Sequence, residues 1–133
     1  MSFEKIINKI KNNKKENISN FRNSYDLKKR KSESTRIKLK YPKRIPIICE
    51  KMKNSNVPDI DKNKYLVPMD LTIGQFLYVI RKRIKLQPEK ALFLFINNTI
   101  PASSQLLSNM YKDNQDEDGF LYIVYSSENT FGN

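Results

Sequence analysis

A chain of 133 residues with no histidine and one cysteine excludes several chemistries at once. Ser-His-Asp and Cys-His catalysis need the missing imidazole, which is also the commonest metal ligand. A lone thiol forms no disulfide framework and fits a reducing compartment. The length suits one domain. The formal charge of +11 is unevenly placed: residues 1–55 hold 17 Lys/Arg against 5 Asp/Glu, and residues 56–133 hold 8 against 9. A basic N-terminal part answers an acidic partner, whether nucleic acid, an anionic membrane or an acidic peptide. No apolar run is long enough to span a bilayer and no secretory signal pattern is present, so a soluble intracellular protein is expected.

Residues 1–25 read as an N-terminal extension, partly helical or disordered. Phe3, Ile6, Ile7 and Ile10 recur at i, i+3, i+4, i+7 with lysines at 5, 9 and 11, which predicts one short amphipathic helix. That stripe suits docking on the protein's own core and a basic membrane-surface helix equally well. Asn12 to Asn20 is polar and reads as a linker. Asp26 to Lys40 is a second, very basic helix with Leu27, Ile37 and Leu39 as its apolar positions, ended by Pro42.

Arg44 to Lys51 is a first strand, in which Pro46 argues for an edge position or a bulge. Its Cys49 lies in the apolar run Ile45-Pro46-Ile47-Ile48-Cys49 and reads as a buried structural thiol. Lys53 to Lys62 is a polar loop with Pro58 and Asp59 as turn formers. Lys64-Tyr65-Leu66-Val67-Pro68 is a second strand, again with an edge-favouring proline. Its unpaired backbone could receive another chain.

Thr72 opens the best helix. Thr72 and Gln75 have capping-box spacing, and Ile73, Phe76, Leu77, Ile80 and Ile84 form a core-facing stripe. Arg81, Lys82, Arg83 and Lys85 sit at its C-terminal end, where the helix dipole favours cations. Ala91 to Ile96 is a third strand, Asn97-Asn98 a turn, and Leu106, Leu107 and Met110 mark a short helical turn. Lys112 to Gly119 is an acidic loop. Its Asn114-x-Asp116-x-Asp118-Gly119 run matches the start of a calcium loop, but the twelfth position is Tyr125 rather than Glu, so calcium is rejected. Phe120-Leu121-Tyr122-Ile123-Val124-Tyr125 is the strongest strand signal, and its lack of a polar face predicts a central place in the sheet. After it, residues 127–133 form a polar tail that carries one of three glycines, Gly132.

One good helix lying across a small, four-stranded mixed sheet, with helices ahead of it, is α+β: the β-grasp pattern of ubiquitin. Residues 26–126 would form that domain.

Within this frame the residues themselves are recognisable. Arg44-Ile45-Pro46, Ile48-Cys49-Glu50-Lys51, Val57-Pro58-Asp59-Ile60-Asp61-Lys62, Lys64-Tyr65-Leu66-Val67-Pro68, Arg81-Lys82-Arg83-Ile84, Asp118-Gly119-Phe120-Leu121-Tyr122 and Glu128-Asn129-Thr130-Phe131-Gly132 resemble the autophagy ubiquitin-like modifiers, the autophagy-related protein eight and GABARAP family. The resemblance runs from about Leu27 to Gly132. Asp26-Leu27 departs from the Pro-Phe common there, and Ser127 replaces a common Gly.

The resemblance implies a carrier rather than a catalyst, with no cofactor or metal of its own. A dedicated cysteine protease would trim the tail after Gly132 and remove Asn133. Activating and conjugating enzymes would then join Gly132 to phosphatidylethanolamine. Glycine suits this, because without a Cβ its backbone enters a narrow channel and its carboxyl is uncrowded. The resemblance also implies receptor peptides with an aromatic residue and, three positions on, an aliphatic one. By motif match the aromatic pocket is Glu33, Ile37, Pro46, Ile48, Lys64, Leu66 and Phe120. The aliphatic pocket is Tyr65, Val67, Pro68, Leu71, Phe76 and Val79. Arg36, Arg44 and Lys62 would attract acidic residues flanking the aromatic. Strand alternation supports the division, since residues 64 and 66 must point opposite to 65 and 67. The implied places are the cytoplasm, the autophagosome membrane and, after fusion, the lysosome or vacuole, with no nucleic-acid partner. Two other readings stay open: an unlipidated adaptor for peptides or microtubules, and a basic module that binds nucleic acid or a filament through residues 1–55.

Overall fold

The computed structural model describes residues 19–128. The Phe3/Ile6/Ile7/Ile10 stripe, Gly132 and Asn133 lie outside them.

Among the described residues four helices and four strands follow in the order α1 (Asn20–Ser24), α2 (Leu27–Lys40), β1 (Arg44–Lys51), β2 (Lys64–Pro68), α3 (Ile73–Arg83), β3 (Phe93–Phe95), α4 (Leu107–Asn114) and β4 (Leu121–Ser126). The sheet order is β2-β1-β4-β3. β1 and β4 pair in parallel at the centre, and β2 and β3 add antiparallel at the edges. This is the expected α+β, four-stranded mixed sheet with β4 inside it.

Local chemistry accounts for the helix ends. The Asp26 side chain accepts the Lys29 N–H at 2.8 Å and starts α2. The Thr72/Gln75 capping box is formed in both directions, at 3.1 and 2.9 Å. The stripe of α3 then buries Ile73, Phe76, Ile80 and Ile84 against one face of the sheet. That face is supplied by alternate strand residues: Ile45, Ile47 and Cys49 from β1, Tyr65 and Val67 from β2, and Leu121, Ile123 and Tyr125 from β4. Helices α1 and α2 cover the opposite face, where Phe21, Ile48 and Phe120 form a smaller core with Ile37 and Tyr122 at its margin.

Several expectations need correction. Pro46 sits in a central strand, not at an edge, and it costs no ladder bond there. Cys49 donates its N–H to Asn63 on the β2 side, at 2.7 Å. By alternation the nitrogen of residue 46 faces β4, whose pairing with β1 begins only at Ile47. Leu39 is 80% exposed. Two residues apart, Ile37 and Leu39 cannot share a helix face, and Ile37 has the inward one. Asn20 opens α1 rather than closing a linker: Ser19 caps it and buries Phe21 at 2% exposure. β3 is shorter than expected, three residues, and α4 longer, eight, so Lys112 to Asn114 are helical. The turn after β3 has Asn97 and Asn98 both at positive φ, 49° and 64°, the hairpin geometry that asparagine tolerates.

One carboxylate of the acidic loop, Asp118, is part of the fold's interior. Asp118 is fully buried and receives the Arg30 guanidinium at 2.7 Å, the Phe120 N–H at 2.9 Å and the Tyr122 hydroxyl. Asp116 pairs with Arg22 at 2.6 Å. Gly119 beside them has φ 90°, and a Cβ there would collide with the Ser34 hydroxyl, which donates to the Asp118 carbonyl.

Candidate functional site

The β2 edge is built by its pairing with β1. Tyr65 lies opposite Ile47 and Val67 opposite Ile45, and these pairs exchange the ladder bonds. The backbone N–H and C=O groups of Lys64 and Leu66 therefore face outward. The Arg44 guanidinium already reaches the Leu66 carbonyl, at 3.3 Å. An added strand would meet one guarded acceptor and an otherwise open edge.

The side chains divide between two faces. Lys64 and Leu66, both half-buried, stand on the α2 face beside Pro46 and Ile48, their cross-strand partners. Ile37 and Glu33 approach from α2, and Lys64 Nζ binds Glu33 Oε1 at 2.8 Å. Phe120 completes this group from the other side of β1. The seven residues assigned to an aromatic pocket are thus brought to one face. Pro46, Ile48 and Phe120 form its buried floor, while Glu33, Ile37, Lys64 and Leu66 are its accessible walls.

Phe21 was missing from that set. Its ring stands edge-on to Phe120 at 5.3 Å between centroids, and Lys64 Nζ lies 5.2 Å from its centre. The short helix α1 therefore backs the same floor from behind. A single phenylalanine in a five-residue polar helix has no periodic signal, and only the Ser19 cap hints at it.

Tyr65, Val67 and Phe76 belong to the larger core on the α3 face, and the Tyr65 and Phe76 rings meet edge-to-face at 5.5 Å. Pro68 is exposed, Leu71 half-buried and Val79 40% exposed. Leu71 and Val79 line an open hollow of about 540 Å³ with Gly74, Tyr78 and Ser103. The accessible part of the assigned aliphatic pocket is therefore Pro68, Leu71 and Val79, and the other three are its packed base.

The three cations assigned to acidic flanks do not form one cluster. Arg44 stands opposite Pro68, at the end of β2, and Lys62 precedes its start, with Nζ 5.3 Å from the Tyr65 ring centre. Arg36 lies exposed on α2.

Two polar groups sit under the edge. Burial pushes the Cys49 thiol well above its ordinary range, so it stays protonated and inert. Burial pushes the Tyr65 phenol up to about 12. Its hydroxyl is buried with no hydrogen-bond partner. At the far end of β4, Met52 donates to the Tyr125 carbonyl at 2.9 Å, Ser127 to Ser55 Oγ at 3.3 Å and Glu128 to Ser126 Oγ at 3.1 Å. The chain leaves the sheet there. Among the described residues no helix is long and apolar enough to cross a membrane.

This architecture has close counterparts. A family model described as autophagy protein Atg8, ubiquitin-like, matches residues 29–132. Autophagy-related protein 8 of Mycosarcoma maydis is 60% identical over 114 residues, 86% of this chain and 97% of that protein. Autophagy-related protein 8e of Arabidopsis thaliana is 62% identical over 112 residues, 84% and 92% of the two chains. Among solved structures, Trypanosoma brucei ATG8 superposes with a TM-score of 0.78 at 44% identity, over 82% of this chain and 94% of that one. Plasmodium falciparum Atg8, in complex with a Plasmodium falciparum Atg3 peptide, does so with a TM-score of 0.77 at 35% identity, over 84% and 98%. The chain belongs to the Atg8 family of ubiquitin-like autophagy proteins.

Proposed function

We propose that this protein is a non-catalytic modifier of autophagy, trimmed after Gly132 and conjugated through that glycine to phosphatidylethanolamine. A cysteine protease removes Asn133, and activating and conjugating enzymes carry the freed carboxyl to the lipid amine. The new bond is an amide, so the chemistry and its ATP come from the partner enzymes. The observation that carries this reading is the reach of the family match to residue 132, past the point where the chain leaves β4. A phospholipid brings two acyl chains, each buried methylene contributing roughly 0.8 kcal/mol, which suffices for stable anchoring where one chain is marginal. The protein would then pass from cytoplasm to autophagosome membrane and, after fusion, to lysosome or vacuole.

On the membrane, the outward backbone of Lys64 and Leu66 pairs with receptor peptides. The peptide's aromatic residue sits among Glu33, Ile37, Lys64 and Leu66, and its aliphatic residue against Pro68, Leu71 and Val79. Arg36, Arg44 and Lys62 draw acidic residues at different points along the peptide rather than at one. The Atg3 peptide in the Plasmodium falciparum complex supports an Atg3-type partner for this chain as well.

The test is intact mass and membrane fractionation of cellular protein for three variants. Gly132→Ala and deletion of residues 132–133 should stay soluble at unlipidated mass. Deletion of Asn133 alone should still acquire the lipid. A lipid-shifted Gly132→Ala species would move the attachment site elsewhere and overturn the reading.

A further inference from the structure

Among the described residues the outward face of α2 is left uncovered, and it lies apart from the β2 edge. Leu39 sits about 160° round the helix from the inward Ile37. At 80% exposure it is the most open of the large apolar side chains described. Cations lie along the same side of α2 and just past its end. Lys28, Lys29, Lys31 and Lys43 are exposed and form no ion pair among the described residues. Lys40 leans on the ring of Tyr41, itself 40% exposed, with 5.5 Å from Nζ to the ring centre. The one acid within α2, Glu33, points aside and is bound to Lys64. The result is a convex ridge of unbalanced positive charge with a leucine at its crest and an aromatic at its end.

We propose that this ridge docks on an anionic phospholipid surface. The charge asks for an anion, and the apolar crest selects among anionic partners. An acidic protein could bury a single protruding leucine only with a hollow matched to it. A bilayer interface accepts such a side chain anywhere, because the headgroup layer yields around it while the lysines reach the phosphates. Tyr41 has the amphipathic character that suits the same layer. This contact needs neither the tail nor the peptide groove, so it stands or falls separately from lipid conjugation.

The experiment is co-sedimentation of the full-length, unconjugated protein with vesicles of phosphatidylcholine, with and without phosphatidylserine, at low and moderate salt. Binding should require phosphatidylserine and weaken as salt rises. Leu39→Ser should weaken it about fivefold with an unchanged circular dichroism spectrum. Lys28→Glu with Lys31→Glu should weaken it at least tenfold, whereas the charge-matched Lys82→Glu with Lys85→Glu at the end of α3 should leave most of it. Wild-type binding by Leu39→Ser, or equal losses in the two charge reversals, would overturn the proposal. Leu39-dependent capture by polyglutamate, with no binding to vesicles, would assign the ridge to an acidic protein and overturn it too.

Discussion

Among the described residues, eighteen buried hydrophobic residues form one core on the α3 face of the sheet; on the α2 face three do, with buried Pro46 beside them. The second face is held instead by charge. Arg30 and Asp118 pair across it, Arg22 and Asp116 pair at its rim, and Tyr122 and Ser34 tie into the same loop. Apolar packing is non-directional and tolerates small shifts, whereas a buried carboxylate demands each of its partners in place. The two walls of the β2 edge therefore rest on different physics. The side with Leu71 and Val79 leans on a deep core. The side with Lys64 and Leu66 leans on a thin apolar layer and a polar network.

The largest effects should expose that difference with the same chemistry on each face. Phe76→Ala should cost about 4 kcal/mol, because Phe76 is fully buried in the deep core and its cavity cannot collapse. Phe21→Ala should cost only about 1–2 kcal/mol, because α1 has five residues and can release from the sheet by local opening instead. Chemical denaturation measures both, and hydrogen exchange should show the Phe21→Ala loss confined to the α1 and 115–120 amides. Equal global losses would mean that the two faces form one cooperative layer and would end the comparison.

The next effect isolates the charge network. Asp118→Ala should cost about 3 kcal/mol, since it leaves the Tyr122 hydroxyl and the Phe120 N–H without their acceptor and the Arg30 guanidinium with only the Tyr25 carbonyl at 3.1 Å and Asp116 at 3.9 Å. Adding Arg30→Met should recover at least about 1 kcal/mol, because it removes a largely buried charge that has lost its nearest carboxylate. Thermal melts of the two variants decide it. A double variant less stable than Asp118→Ala would show that Arg30 serves the fold through something other than this ion pair.

The same contrast explains how much was legible in the sequence. The deep core announces itself over several residues: the α3 stripe behind its capping box, the alternation of residues 64–67 in β2 and the unbroken apolar runs of β1 and β4. The thin face has no such redundancy. Phe21 is one apolar residue in a polar stretch. Asp118 sits among acids, and its burial depends on Arg30, 88 residues away, which no local pattern reports. Leu39 misleads because composition alone places a leucine inside, while its spacing from Ile37 puts it outside. Pro46 misleads in the other direction, since the edge rule depends on which neighbour its nitrogen faces. In the candidate groove, alternation correctly separates residues 64 and 66 from 65 and 67. What alternation cannot say is that Ile48, Phe120 and Phe76 would be covered completely, because that depends on helices α1 and α3 packing over them.

The smallest effect sits where the two regions meet, at Tyr65 on the edge strand. Its ring belongs to the deep core, yet its hydroxyl is buried without a partner. Removing an unsatisfied polar group while keeping the ring should be neutral or favourable, so Tyr65→Phe should stabilise the protein by up to about 1 kcal/mol near neutral pH. The pH dependence sharpens this. Burial raises the folded-state value of Tyr65 to about 12, above the ordinary phenol value of about 10. The folded state therefore holds the proton more tightly than the unfolded chain. The stability linked to it is complete below about pH 10 and is lost as pH rises toward 12. Tyr65→Phe lacks that loss, so its advantage over the wild type should widen on going from about pH 8 to about pH 11. Tyr122 and Tyr125, also raised by burial, keep some alkaline loss in both proteins. Denaturant midpoints at the two pH values measure the difference. A Tyr65→Phe variant less stable than wild type by more than about 1 kcal/mol would mean that the hydroxyl is hydrogen-bonded after all. The packed base beneath Leu71 and Val79 would then be polar at its centre, and the division between an apolar and a charge-held face would fail at the strand that separates them.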